Sequence, residues 1–487
     1  MPAKIILLMV FLLSGTPPLK AADWNQWRGP DRDGSVTGGP ALLDQLPSRG
    51  LRPRWYTDAE VIPGIKQGGW SSPVVASGRV YLFTHQKTRL GKGNLPPRTF
   101  PYLAPEKRVG MSDEQYAEYE KNRRDEEQKI SESFRYTEQL YCLEASTGKL
   151  VWTNEQTSVY TRFFQSGCPT VVDGRILVLG AGRRARSIDA ASGKEIWQTR
   201  LPGDFRDQFL QSSFLVADGT AVVLAGSLFG LDLASGRILW QQGDVNSDSL
   251  HSSPVSWQSP QGTVVISNIP GGKTIAVKPG DGSLLWTLDS QAGHATPLVS
   301  GDRLITYGSS RKKGLRCFQL DLAEPRHLWT FQGTADSGSS PVVAEGHVFV
   351  QGERRLACVD LETGKPRWST LLDLNQPRYT SLLAADGKVI YGFDGLLLFR
   401  ASGKKFQPLV TGKIDDKGLL ADEEAFRVKL GIDKLETTAE GQRTAEQLWR
   451  KTFNNGPLSC TTPALSDGRI YIRLKQGIAC YDLRSGK

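Results

Sequence analysis

The sequence predicts an all-β protein, an eight-bladed β-propeller of four-stranded antiparallel blades, on three observations. Eight tryptophans stand at one place in a recurring phrase: Trp55, Trp152, Trp197, Trp240, Trp286, Trp329, Trp368 and, less cleanly, Trp449. The intervals from Trp152 to Trp368 are 45, 43, 46, 43 and 39 residues, and a period of about 40 to 45 residues made of short β-rich pieces is the signature of propeller blades. The last copy begins at Leu458 and stops at Lys487 before any fourth strand, while Arg52-Pro53-Arg54-Trp55-Tyr56 carries the missing strand and its Trp. The two ends are therefore expected to close the ring in one blade over residues 52–487, which removes exposed sheet edges. Blade seven is irregular, with Leu397 where other copies hold a small residue, so seven blades is the alternative count.

The phrase reads strand by strand in the sixth copy. Ser339–Val343 is a short apolar run, Glu345-Gly346 a turn and His347–Gln351 a strand. Leu356–Asp360 then alternates with period two, Glu362-Thr363-Gly364-Lys365 turns tightly, and Pro366–Leu371 closes the blade with Trp368. The turn recurs as Ser146–Lys149, Ala191–Lys194 and Ala234–Arg237, with glycine supplying the positive φ such turns need. Ten residues before the Trp stand Cys142, Ser187, Gly230, Ala276 and Cys358, with Cys317 and Cys480 at the corresponding place of less regular copies. All are small, as they must be if an indole is to lie flat on the neighbouring strand at interior packing density.

This small-x-Asp-x-x-Thr-Gly-Lys-x-x-Trp phrase resembles the tryptophan-docking motif of the pyrroloquinoline-quinone-like (quinoprotein-type) propellers. In that family a girdle of tryptophans holds adjacent blades together, and the resemblance covers the ring from about residue 52 to the C-terminus. It is nearest in kind to the non-catalytic propeller proteins of outer-membrane assembly. Trp24-Asn25-Gln26-Trp27-Arg28-Gly29-Pro30, in an N-terminal arm over residues 23–51, resembles a segment common near the start of exported proteins of this kind, expected to pack across the propeller.

Residues 1–22 carry Lys4, an apolar run from Ile5 to Leu13, the breakers Gly15, Pro17 and Pro18, and the small pair Ala21-Ala22. That is the layout of a secretory signal peptide, so a periplasmic or otherwise extracytoplasmic location is expected. No cysteine sits at the expected cleavage point to carry a lipid, and no stretch approaches the roughly 20 apolar residues of a transmembrane helix. Net charge is +9, with basic residues interleaved among acidic ones. No stripe for a phosphate backbone results, so nucleic acid is not an expected partner.

Two segments interrupt the repeat. The first, about 86–138 in blade one, contains Ser112-Asp113-Glu114-Gln115, a capping box that starts a charged helix. The second, about 404–446 in blade seven, contains a short helix at Asp422–Leu430. Both are expected to decorate the surface, since long insertions between strands cost little stability.

The family resemblance implies one enzymatic possibility, a dehydrogenase using pyrroloquinoline quinone and calcium. Such enzymes stack the quinone between a Trp and a disulfide of two adjacent cysteines. None of the six cysteines here adjoins another, and neither calcium carboxylates nor a catalytic Asp can be placed. Cys142, Cys317, Cys358 and Cys480 occupy one slot in different blades, too far apart for the ~5.5 Å Cα separation of a disulfide. Cys168 and Cys460 fall in non-adjacent blades. All are read as free thiols, and no cofactor or metal is expected.

One constellation remains. The residue three before the inner-strand Pro position is, blade by blade, Trp70, Ser166, Gln211, His251, His294, Gly338, Tyr379 and Cys460. These are expected to ring one mouth of the central channel, with Trp70, Gln211, His251, His294 and Tyr379 as the ligand-binding candidates. Two histidines with no third ligand fall short of a metal site. The expected function is a non-catalytic, monomeric binding or scaffold propeller for an envelope protein or small polar ligand. A quinoprotein oxidoreductase is the first alternative, and a carbohydrate-binding propeller using Trp70 and Tyr379 the second.

Overall fold

The computed structural model describes residues 23–486, apart from 59, 65–68, 205–209, 246–249, 337 and 374–378. The segment read as an export signal lies outside the described residues. Eight four-stranded antiparallel blades follow one another around a central channel, so the count is eight. Blade one is Val74–Ala76, Arg79–Arg89, Phe134–Glu144 and Leu150–Thr157, and blade six is Val342–Ala344, His347–Gly352, Arg355–Asp360 and Pro366–Leu371. Blade eight takes its inner three strands from Ala464–Ser466, Arg469–Arg473 and Ile478–Asp482 and its outer strand from Trp55–Thr57. In that closure Trp55 pairs with Cys480 and Thr57 with Ile478.

The docking tryptophans work between blades. Trp55, Trp197, Trp240, Trp286, Trp329 and Trp368 each donate the indole N–H to a carbonyl of the next blade, at 2.9, 3.0, 2.7, 3.1, 2.8 and 2.7 Å. These and Trp152 also face the small residue of their own third strand: Trp152 opposes Cys142, Trp197 Ser187, Trp240 Gly230 and Trp368 Cys358. The turn glycine of the next blade completes the slot. A Cβ on Gly148 would lie 2.4 Å from the Trp55 ring, and Gly148 has φ +71°, so close approach and backbone conformation both demand glycine.

Trp449 is not a docking residue. It lies on a helix, Ala439–Thr452, and stacks edge-on against Phe453 at 4.7 Å. The outer strand of blade seven is instead Pro408–Ile414, in which Val410 opposes Leu398 just before the bulge that in other blades follows the Trp pair. The small-residue position is thus filled by Leu398 rather than by Leu397. Spacing misled here because the insertion follows the fourth strand instead of preceding it.

The junction between blades seven and eight, which lacks an indole, is filled by other chain. After Ser35–Val36 has paired parallel to the inner strand of blade seven, Leu42 donates its N–H to the Asp386 carboxylate of blade seven at 2.7 Å and Leu43 donates to the Leu483 carbonyl of blade eight at 2.7 Å, which bridges the junction. Leu42, Val410, Ile414, Leu420, Ile470 and Tyr481 share one buried cluster. Apolar burial by the arm and the start of the second insertion thereby replaces the missing ring.

Both insertions differ in extent from the spacing-based bounds. The second and third strands of blade one continue as a long hairpin to Arg89 and back from Phe134, so the first insertion spans only 90–133. It contains helix α1 (Asp113–Ser131), capped reciprocally by Ser112 and Gln115. The second follows Ile414 and folds into α2 (Glu423–Leu430), capped by Asp422, α3 (Ile432–Leu435) and α4 (Ala439–Thr452).

Candidate functional site

The channel is built on a closed circle of hydrogen bonds among the residues that immediately precede the inner strands. Ser72 N–H donates to Cys168 Sγ at 3.2 Å, Cys168 N–H to Ser213 Oγ at 2.9 Å, and Ser213 N–H to Ser253 Oγ at 2.9 Å. Ser253 N–H then donates to Thr296 Oγ1 at 3.2 Å, Thr296 N–H to Ser340 Oγ at 3.0 Å, and Ser340 N–H to Ser381 Oγ at 3.0 Å. Ser381 N–H to Thr462 Oγ1 at 3.1 Å and Thr462 N–H to Ser72 Oγ at 2.8 Å bring the chain of bonds back to its start. Sequence reasoning did not find this ring, although its signal was present: a Ser, Thr or Cys stands before the inner-strand Pro position in every copy. Cys168 belongs to this circle rather than to an inner strand, and Cys460 likewise precedes Ala464–Ser466.

The N-terminal arm crosses one side of the ring. Trp24 is buried and bridges Val75, and Asn25 exchanges hydrogen bonds with Val171 at 2.7 and 2.9 Å. Arg28 donates to the carbonyls of Asp33 and Pro341, and Arg32 to those of Phe214 and Ser213. Burial pulls Arg28 down to about 10 and Arg32 to about 9, which leaves both charged at neutral pH and held by main-chain dipoles. The Trp27 indole donates to Thr296 Oγ1 at 3.1 Å.

A cavity of about 600 Å³ lies at the channel mouth, and all eight residues singled out by register line it: Trp70, Ser166, Gln211, His251, His294, Gly338, Tyr379 and Cys460. Phe163 and Trp27, which register did not single out, join them. Trp70 and Phe163 meet at 6.3 Å between ring centroids. His251 lies edge-on to His294 at 4.7 Å and 5.5 Å from Tyr379. The Tyr379 ring rests on Gly338, where a Cβ would come within 2.2 Å of it. Tyr379 and Cys460 hold left-handed backbone conformations at φ +61° and +67°, which cost a non-glycine residue about 1–3 kcal/mol each.

The described lining residues are all neutral, with the Lys313 ammonium close enough to act on His294. Burial, then the neighbouring His294, pulls His251 down to about 4, and burial, then Lys313, lowers His294. His251 N–H donates to His294 Nδ1 at 3.3 Å, which places the proton of the neutral His294 ring on Nε2. The Gln211 amide N–H donates to the Phe164 carbonyl at 3.4 Å, while its buried oxygen has no partner.

Pyrroloquinoline quinone with calcium does not fit this donor set. Among the described lining residues there is no carboxylate for a divalent cation and no guanidinium or ammonium to balance a polycarboxylate ligand. The neighbouring blades also offer no adjacent cysteine pair. Elsewhere, burial pushes the Cys142 thiol up to about 11 and those of Cys317, Cys358 and Cys480 to about 12, as expected of thiols packed as small apolar groups under an indole. No described helix is long and apolar enough to cross a membrane.

Comparison with known proteins agrees with the repeat. A protein of Moranella endobia named outer membrane protein assembly factor BamB is 26% identical over 254 residues, covering 48% of this chain and 63% of that protein. Its namesake in Salmonella typhimurium is 23% identical over 364 residues, covering 68% of this chain and 88% of that protein. Among solved structures, quinohemoprotein alcohol dehydrogenase from Comamonas testosteroni superposes with a TM-score of 0.55 at 12% identity, over 96% of this chain and 81% of that one, a likeness of fold alone. The chain spans less than two thirds of the Moranella protein. The family profile described as outer membrane protein assembly factor BamB matches residues 136–370 and 319–397, more than half of the sequence, and the chain belongs to that family.

Proposed function

We propose that this protein is a non-catalytic binding propeller of the cell envelope, exported by residues 1–22 and engaged with protein partners in outer-membrane assembly. The observation that carries the reading is the chemistry of the channel mouth: a preformed aromatic cavity with two neutral histidines and, among its described lining residues, no acid–base pair or ligand cluster. Such a site can hold a group by contact area and directed hydrogen bonds and has little means to transform one. The family match supports the envelope-assembly context, since the relatives are named for that role.

Affinity capture from envelope extract tests the reading. The wild-type protein retains an envelope protein, and the Trp70→Ala/His251→Ala double variant, folded as judged by its melting curve, loses at least about tenfold in affinity for it, a difference of about 1.4 kcal/mol. Full retention by the variant would remove the cavity's role. Incubation with pyrroloquinoline quinone and Ca²⁺ followed by a dye-linked alcohol oxidation assay gives no turnover on this account, and turnover would overturn it.

A further inference from the structure

The mouth of the channel carries aromatic faces on both sides, and no charged residue is among its described lining residues; cations flank it, Arg162 at 5.6 Å from the Phe163 ring and Lys313 beside His294. Trp70 and Phe163 stand on blades one and two, and Phe163 is 42% exposed at the rim. His251, His294 and Tyr379 stand on blades four, five and seven, across an eight-membered ring from the first pair. An occupant between them meets π-faces and ring edges on opposite sides, an arrangement that suits a flat ring. The polar groups are few and of opposite kind. Gln211 offers an unpartnered buried acceptor, and the bond from His251 N–H fixes the Nε2–H of His294 as a donor.

A charged occupant is disfavoured by the same inventory. A carboxylate brought into the cavity loses its hydration and meets no cation among the described lining residues, only neutral donors such as that of His294. An ammonium finds no carboxylate among the described lining residues. Aliphatic side chains gain burial but leave the Gln211 oxygen unsatisfied, and a buried polar atom without a partner is costly.

We propose that the cavity receives an uncharged aromatic side chain bearing an N–H or O–H donor, indole or phenol, carried on an extended segment of a partner protein. This rests on the binding-propeller reading and names what that site recognises. The volume of about 600 Å³ is within the range that encloses one such side chain with its flanking backbone.

The test titrates the full-length exported protein with N-acetyl-tryptophanamide, N-acetyl-tyrosinamide, N-acetyl-leucinamide, N-acetyl-tryptophan with its free carboxylate, glucose, and the capped tripeptide Gly-Trp-Gly, followed by calorimetry and by chemical-shift changes. The tryptophan and tyrosine amides bind saturably. The leucine amide and the free carboxylate bind at least about tenfold more weakly, and the tripeptide more tightly than indole alone. Gln211→Leu weakens the tryptophan amide by about tenfold. Phe163→Ala does the same from a rim position that is 42% exposed and lies outside the blade strands. Equal or tighter binding of the leucine amide, the carboxylate or glucose would overturn the proposal, as would tripeptide and indole binding alike, or indifference to both substitutions. If the wild-type protein captures an envelope partner that millimolar tryptophan amide fails to displace, the aromatic specificity falls and the binding role stands. If it captures none, the binding role itself falls.

Discussion

Thr462 donates its backbone N–H to Ser72 Oγ at 2.8 Å across 390 residues of sequence. That bond joins blade eight to blade one at the channel, while Trp55 against Cys480 joins the same two ends of the chain at the rim. The protein is thus closed twice, by a hydroxyl at small radius and by a docked indole at large radius. The cavity at the channel mouth sits directly on the inner closure.

The outer closure predicts the cost of losing an indole. Trp240→Ala opens a cavity between blades three and four and removes the bond to the Pro279 carbonyl, for a loss of about 3–5 kcal/mol. Trp449→Ala, on α4 of the second insertion, costs less than half as much. Urea unfolding of the two variants checks the contrast, and equal losses would mean that the shared register of the tryptophans has no energetic meaning.

Deletion of residues 23–57 removes the outer strand of blade eight, the arm beneath the channel and the filler of the junction between blades seven and eight. The strand Ile478–Asp482 then has a free edge, and aggregation follows. Light scattering of the deletion variant reads this out. A soluble monomer with an undiminished melting temperature contradicts it.

The histidine pair predicts a dependence on acid. His251 is lowered from 6.5 to about 4 and His294 is lowered as well, so between these limits the unfolded chain binds protons that the folded chain refuses. The stability contributed by the neutral pair is complete above the unfolded pKa of about 6.5 and is lost as pH falls toward 4. Between pH 7 and pH 4.5 the His251→Gln variant therefore loses less stability than its parent, by up to about 2–3 kcal/mol. Urea midpoints at the two pH values measure the difference, and parallel curves would refute it.

Thiol chemistry separates the packed cysteines from the one at the mouth. Five of the six are buried and only Cys460 is partly exposed. At pH 8 an aromatic disulfide reagent modifies at most one thiol of the native protein rapidly, Cys460→Ser abolishes that reaction, and denaturant releases all six. Rapid native labelling of Cys142 or Cys358 would contradict the docking slot.

Much of this was legible in the sequence for a definite reason. Trp55, Trp152, Trp197, Trp240, Trp286, Trp329 and Trp368 share a phrase whose every position has a steric purpose, so their register could be read without coordinates. The same register located Trp70, His251 and Tyr379 at one level of the channel. Trp449 was misread because a helical insertion after Ile414 supplied a tryptophan near the expected distance, while Val410 in the true strand carries no aromatic signal. The long hairpin to Arg89 was hidden because Gln86-Lys87-Thr88-Arg89 is polar and reads as loop, yet it pairs residue by residue with Phe134–Thr137. The ring escaped notice because a serine, threonine or cysteine before proline, or before Phe214 or Leu382, is an ordinary loop residue, and only closure in space gives these positions a common role.

The central claim is that the channel mouth is the surface through which this propeller binds its partner, and site-specific photocrosslinking tests it most directly. A photoreactive phenylalanine analogue placed at Phe163, on the cavity rim, is compared in intact cells with the same analogue at Leu284, exposed on the outer strand of blade four. The account predicts an adduct to an envelope protein from position 163, suppressed by Trp70→Ala/His251→Ala in the same chain, and none from position 284. An adduct from position 284 alone, or one from position 163 that the double substitution leaves unchanged, would contradict it.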